Sequence, residues 1–224
     1  MINLHRTLNL FLAVVLAAPG LVAAQQTTKG PLGIFTGSTD VGKTLKGSSV
    51  YDPADGTYRV TGGGADLWGA EDDFHLSWVR LSGDAALTAD IHFPADAAPG
   101  EKAVLIFRQN LDSASAYADV AIHGDGHITL QYRNSFEGKT ADVTAADHGA
   151  LRLRIERKGN QFTAYTGSGT GKLSAFSSTT VSLKDPVYVG IGVCAHNAES
   201  LATVTFSNVA IERLSRSHAR HRAK

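Results

Sequence analysis

From residue 25 onward the apolar positions recur with a period of two. Leu151, Leu153 and Ile155 alternate with Arg152, Arg154 and Glu156, and Leu87, Ala89, Ile91 and Phe93 alternate with Thr88, Asp90 and His92. Successive strand residues point to opposite faces, so each run predicts a strand with one buried and one wet face. The same pattern predicts strands over Thr57–Gly62, Phe74–Leu81, Ala86–Pro94, Lys102–Gln109, Ala116–His123, Ile128–Arg133, Ala150–Lys158, Gln161–Tyr165, Val187–His196 and Ala202–Leu214. Asp52-Pro53, Asp55-Gly56, Ser82-Gly83-Asp84, Pro99-Gly100, Gly124-Asp125-Gly126, Gly159-Asn160 and Asp185-Pro186 separate the runs. Asp-Gly and Gly-Asn supply the positive φ that tight hairpins need. No stretch carries the 3.6-residue period of an amphipathic helix. The expectation is therefore an all-β, antiparallel β-sandwich in one domain, residues 30–214.

The first 24 residues break the pattern. His5 and Arg6 precede an apolar run from Leu8 to Ala18, then Pro19-Gly20 and the small-residue site Val22-Ala23-Ala24. This is the layout of a signal peptide, and the run is shorter than the roughly 20 residues of a spanning helix. No later segment is apolar enough to cross a bilayer, so the mature chain is expected to be secreted or periplasmic.

Charge adds a second asymmetry. The 224-residue chain has 21 basic and 21 acidic residues, yet Arg213, Arg216, Arg220, Arg222 and Lys224 cluster at the end without an acid. The domain is acidic, and residues 215–224 form a basic tail expected to lack regular structure. Such a tail either solubilises the chain or docks on anionic lipid, lipopolysaccharide or nucleic acid through sequence-independent attraction. It has no interleaved aromatics for base stacking, so no specific nucleic-acid partner is expected.

Catalytic chemistry is poorly represented. Thr166–Lys172 imitates a phosphate-binding loop, but Thr166 and Leu173 occupy the motif's Gly and Ser/Thr positions and no helix follows. It reads as a Gly/Ser hairpin loop. No serine sits in a G-x-S-x-G elbow. Cys194 lies alone in an alternating strand, a quiet packed thiol. No histidine pair has zinc spacing. The acidic run Glu71-Asp72-Asp73 is the one group able to contribute to a calcium site, and no other cofactor is expected. Glycoside hydrolysis needs two carboxyls about 5–9.5 Å apart, and no strand offers acids at alternate positions.

Several blocks together resemble the concanavalin A-like lectin/glucanase jelly-roll modules of secreted bacterial proteins. They are Asp40-Val41-Gly42, Tyr51-Asp52 with Gly56-Thr57-Tyr58, Gly62 through Trp68, Asp73-Phe74-His75, Ser82-Gly83-Asp84, Lys102–Arg108, Leu151–Asn160, Val187–Gly190, Ala195-His196-Asn197 and Thr205–Val209. The resemblance covers nearly the whole mature chain. It departs after Tyr165, where the S-x-D-G-x-x-W turn is missing, and it lacks the E-x-D-x-x-E strand of the glucanases. It implies a jelly roll whose concave face holds a saccharide, polar side chains bonding hydroxyls and aromatic rings stacking on sugar faces. Candidate ligand residues are Trp68, His75, Trp78, Arg108, Tyr117, Gln131, Arg133, His196 and Asn197. Trp68 and Trp78 have packing in the core as a rival role, and Arg108 has an ion pair with Asp119; Gln131 and Arg133 share one strand face. The function expected is a non-catalytic module binding a glycan or another envelope polymer. Two alternatives stand beside it: a hydrolase or lyase using Glu71, Asp72 or Asp73, and a protein-interaction domain, since similar modules accompany β-propellers labelled as Tol-type components.

Overall fold

The computed structural model describes residues 31–149, 151–169 and 171–215; the signal-peptide segment and the tail beyond residue 215 lie outside them. Among the described residues every regular element is a strand, and no helix is long and apolar enough to cross a membrane. In chain order they are β1 (Gly37–Val41), β2 (Ser48–Asp52), β3 (Thr57–Gly64), β4 (Leu67–Trp68), β5 (Glu71–Asp72), β6 (Phe74–Leu81), β7 (Ala85–His92), β8 (Lys102–Arg108), β9 (Tyr117–His123), β10 (Ile128–Arg133), β11 (Ala141–Thr144), β12 (Arg152–Lys158), β13 (Gln161–Gly167), β14 (Ser174–Thr180), β15 (Val187–Cys194) and β16 (Asn197–Arg213).

Two seven-stranded sheets result. The first runs β1-β6-β15-β8-β9-β10-β11 and the second β14-β13-β12-β7-β16-β3-β2, with every pairing antiparallel. The pair β4–β5 forms a separate small ribbon. Neighbours far apart in sequence, such as β6 with β15 and β7 with β16, give the nested connectivity of a jelly roll.

The alternation predicted from the sequence is what fills the space between the sheets. Leu87, Ala89 and Ile91 of β7, Leu153 and Ile155 of β12 and Phe206 of β16 face Leu105 and Phe107 of β8, Val120 of β9 and Ile191 of β15. Phe107 and Phe162 meet edge to face across the gap, with centroids 5.7 Å apart. Each such side chain taken from water contributes about 1.5–3 kcal/mol before entropy is counted. Leu151 departs from expectation: β12 begins one residue later and Leu151 is 45% exposed.

Besides the short β4–β5 ribbon, the strands that the periodicity does not announce are β1, β2, β11 and β14, and these are the four edges of the two large sheets. An edge strand has one neighbour and little to bury, so Gly-Ser-Thr-Asp-Val and Ser-Ala-Phe-Ser-Ser-Thr-Thr carry a weak pattern.

Strand β8 is buried on both faces. Its outward residues Val104 and Ile106 belong to a second apolar cluster with Val41, Leu67, Phe74, Leu76, Tyr117, Ala121 and Cys194, joined by the half-buried Trp78 and Leu111. Something is therefore folded over the outer face of the first sheet, and that cover frames the site.

Candidate functional site

The strand register sets out the outer face of the first sheet row by row. One row runs Gly37, Trp78, Gly190, Ile106, Asp119, Gln131, Asp142 across β1, β6, β15, β8, β9, β10 and β11. The next runs Thr39, Leu76, Gly192, Val104, Ala121, Thr129, Thr144. Trp78 lies across Gly37, where an added Cβ would come within 2.5 Å of the indole; at Gly190 one would come within 2.0 Å of the Ser77 carbonyl. Neither position tolerates a side chain.

Beyond this pair of rows one end of the face is sealed by a buried ion cluster. Asp72 accepts from Arg133 Nη2 (Oδ1, 2.7 Å), Arg133 Nη1 (Oδ2, 2.9 Å) and Arg108 Nη1 (Oδ2, 3.3 Å). Arg133 also donates to the Gly69, Ser113 and Ser115 carbonyls, and Arg108 to those of Asn110 and Asp112. Arg108 lies over Phe74 and Arg133 over Tyr117, at 5.2 and 5.0 Å from the ring centroids. The two arginines thus staple the β4–β5 ribbon and the 109–116 loop onto the sheet. All three charged residues are fully buried, so these guanidiniums are committed to structure and do not face a ligand. Arg108 pairs with Asp72, not Asp119. Tyr117 is buried beneath the staple with its hydroxyl 3.1 Å from Thr140 Oγ1, and burial raises its pKa well above the usual phenol value.

At the other end, Asp66 bridges Lys102 and His196. Lys102 Nζ donates to Asp66 Oδ1 (2.7 Å) and to the Leu67 carbonyl (3.1 Å), while His196 Nε2 stands 3.4 Å from Asp66 Oδ2. His196 holds φ of 54°, a turn position, and Asn197 Oδ1 caps the Glu199 amide at 2.9 Å. These two residues sit by the Asp66 bridge, apart from Trp78 and Gln131. Trp68 lies on the β4–β5 ribbon and is 41% exposed.

His75 is on the opposite face of β6, between the sheets. Its Nδ1 donates to Asp40 Oδ1 (2.6 Å) and its Nε2 meets Ser49 Oγ at 3.1 Å, while Ser77 Oγ donates to Ser49 Oγ. The chain Asp40, His75, Ser49, Ser77 clasps edge strands β1 and β2 together. At 3% exposure, His75 is removed from the outer face.

The acidic run also separates. Asp72 is in the staple, Asp73 Oδ1 accepts the Lys43 amide at 2.6 Å, and Glu71 is exposed. Among the described residues no three acidic, histidine or cysteine side chains converge on a metal position, and the three acids of the run have separate surroundings. Cys194 is buried beneath the ribbon, its thiol directed at the Gly64 carbonyl and pushed by burial up to about 12.

What remains between the sealed ends is unspent. Of the seven buried side-chain polar atoms without a partner among the described residues, five belong to these two rows: Trp78 Nε1, both Asp119 carboxylate oxygens, Gln131 Oε1 and Thr129 Oγ1. A buried polar group left unmade costs about 1–3 kcal/mol, so a cluster of them on one face marks a place where a partner belongs. Burial drives the Asp119 carboxyl well above the usual range, against the charge of Lys102 and the Gln131 backbone amide. These atoms are themselves covered, while the residues at the two ends of the rows are more exposed. Trp78 is only half-buried and meets Tyr188 edge to face at 5.0 Å, and Asp142 and Thr144 of β11 are exposed. Asp119 and Thr129 are not among the sequence's candidates; their signal is a carboxylate and a hydroxyl inside strands otherwise closed on both faces.

No protein-family model matches the chain, and no curated protein matches it. Solved structures do. A functionally unknown protein from Saccharomyces cerevisiae superposes with a TM-score of 0.59 at 17% identity, over 80% of this chain and 97% of that one. The carbohydrate binding module CBM66 from Bacillus subtilis gives 0.54 at 17% identity over the same shares. The GH43 protein BlXynB from Bacillus licheniformis gives 0.54 at 15% identity, over 77% of this chain and 38% of that longer one. At these identities the likeness is one of fold: the chain is an antiparallel β-sandwich of jelly-roll type.

Proposed function

We propose that this protein is an exported, non-catalytic module that binds a glycan in the lane between Trp78 and Asp142. The observation that carries it is the set of five unpartnered polar atoms on one sheet face beside a half-buried indole. Sugar rings present hydroxyls at their edges and an apolar face, and the half-buried Trp78 indole with polar atoms on the same sheet face suits both. Its likeness in fold to a carbohydrate binding module agrees with this reading. Export rests on the segment 1–24. Retention of the mature protein on insoluble plant, fungal or bacterial polysaccharides, lost in Gln131→Ala and Trp78→Ala, tests it; no retention on any of them counts against it. Retention of an envelope protein in place of any polymer favours the interaction-domain alternative.

One observation favours a second reading. Asp119 and Asp142 flank Gln131 in one row, their strands two spacings or about 9.6 Å apart, just beyond the carboxyl separation of about 6.5–9.5 Å in inverting glycosidases. The raised carboxyl of Asp119 suits an acid. Glu71, Asp72 and Asp73 support hydrolysis less well, Asp72 being fully buried against Arg108 and Arg133 and Asp73 holding the Lys43 amide. Release of reducing ends that disappears in Asp142→Asn selects the hydrolase; binding without release selects the module.

A further inference from the structure

We infer that three histidines, His123, His127 and His148, form an acid-released latch that holds residues 145–149 across one end of the sandwich, whatever the outer face binds. His123 ends β9 opposite Lys102 of β8, and its amide donates to the His127 carbonyl at 2.9 Å. Lys102, His123 and His127 thus continue the outer face of the first sheet as a third row. The imidazoles of His123 and His127 have centroids 5.5 Å apart, and those of His127 and His148 are 6.3 Å apart. His148 comes to the row from the segment that links β11 of the first sheet to β12 of the second. Few bonds fasten that segment: the Ala145 amide donates to the Ile128 carbonyl and the Gly149 amide to the Gly126 carbonyl, both at 2.9 Å. Gly126, at φ of 87°, permits the second bond, since a Cβ there would come within 3.0 Å of both the Gly149 nitrogen and His148 Nδ1. Beneath lies a cavity of about 230 Å³ between the ends of β7 and β9, bordered by Gly149 and by Ile91, Phe93, Ile122 and Leu151. Release of residues 145–149 would open it to water.

Charge sets when the latch lets go. An ordinary imidazole changes charge between about pH 5 and 8. Two charged rings in this row repel each other, and the Lys102 ammonium stands beside His123 as a further positive charge. Burial first, then Lys102 and His127, already lower the His123 pKa to about 4. The carboxylates around the row are mostly engaged elsewhere: Asp66 with Lys102 and His196, Asp125 Oδ1 with the His127 amide, and Asp147 Oδ2 with the Thr166 hydroxyl. Glu101, whose carbonyl accepts the Gly124 amide, Lys172, which shares a surface pocket with His148, and His92, across the cavity on β7, complete the titratable surroundings. Opening lets the rings part and hydrate, so the open form takes up protons more readily than the closed one and acid favours it.

Amide hydrogen exchange of the mature protein, read by mass spectrometry at about pH 7.5 and about pH 5 with rates corrected for intrinsic chemistry, tests the latch. Protection of residues 145–149 should fall about tenfold or more at the lower pH, while β6 and β15 keep theirs. In the paired variant His127→Gln and His148→Gln, only His123 of the row can charge, and it titrates near 4; protection of residues 145–149 should then be equal at the two pH values. Circular dichroism melting of both proteins at each pH reports the state of the whole sandwich. Protection that does not change with pH in the wild type overturns the latch, as does a fall that persists in the paired variant. A loss shared by β6 and β15 overturns it as well, because acid is then unfolding the domain and not releasing one loop.

Discussion

Arg133 grips Asp72 with both arms of its guanidinium, at 2.7 and 2.9 Å, across 61 residues of sequence and in full burial. The pair joins a central strand of the first sheet to the ribbon that covers it, and Arg108 completes the site from β8. This contact holds the cover against the outer face of the sheet.

Removing the shared anion should therefore be severe. Asp72→Ala leaves two guanidiniums buried without a counter-charge, and breaking one partner of such a cluster costs about 3–5 kcal/mol. Urea unfolding of the variant, compared with wild type, measures it. A loss below about 1 kcal/mol would mean that solvent reaches the arginines.

Asp119→Asn should have the opposite sign. The folded carboxyl titrates well above its ordinary value because burial penalises its charge. Below the unfolded pKa of about 3.9 both states are protonated and wild type and variant should melt alike. As pH rises from there toward the raised folded value, the unfolded carboxyl ionises while the buried one keeps its proton, so wild type loses stability that the amide retains. The difference in melting temperature should grow across that window in favour of the variant and level off above the folded value.

His123 supplies the acid-side counterpart. Burial first, then the charges of Lys102 and His127, lower its pKa from 6.5 to about 4; the His127 ring lies 5.5 Å away. The unfolded chain takes up a proton near pH 6.5 that the folded one refuses until about pH 4. The stability associated with neutral His123 is thus present above 6.5 and is lost as pH falls toward 4. Melting curves of His123→Gln across that window should fall less steeply than those of wild type.

The thiol should be inert in the native state. With Cys194 buried and its pKa pushed up to about 12, iodoacetamide near neutral pH should leave it unmodified until denaturant is added, as intact-protein mass spectrometry would record. Rapid native labelling would show that the β4–β5 cover opens readily.

The origin of these features differs from element to element. Strands such as β7 and β12 were legible because one face is wet and one dry, and the period of two is written directly into Leu87-Thr88-Ala89 and Leu153-Arg154-Ile155. Hairpin positions such as Asp55-Gly56 and Gly159 were legible because positive φ restricts residue type, and both glycines adopt it, at 75° and 61°. The edges β1, β2, β11 and β14 were not, since half of their hydrogen bonds and most of their surface remain outside the sandwich.

Among the candidate ligand residues, parity along a strand correctly grouped Gln131 with Arg133, yet it could not tell that Arg133 is spent on Asp72 while Gln131 is left without a partner. His75 shows the same limit in another form: its residue type suits a ligand, and its face of β6 puts it between the sheets. By itself the sequence determined the all-β class and the alternation that fills the core, because burial and backbone geometry act on residues near one another in the chain. Only the tertiary structure decided which charges meet, since the pairing of Asp72 with Arg133 and the solitude of Asp119 arise from contacts between segments dozens of residues apart.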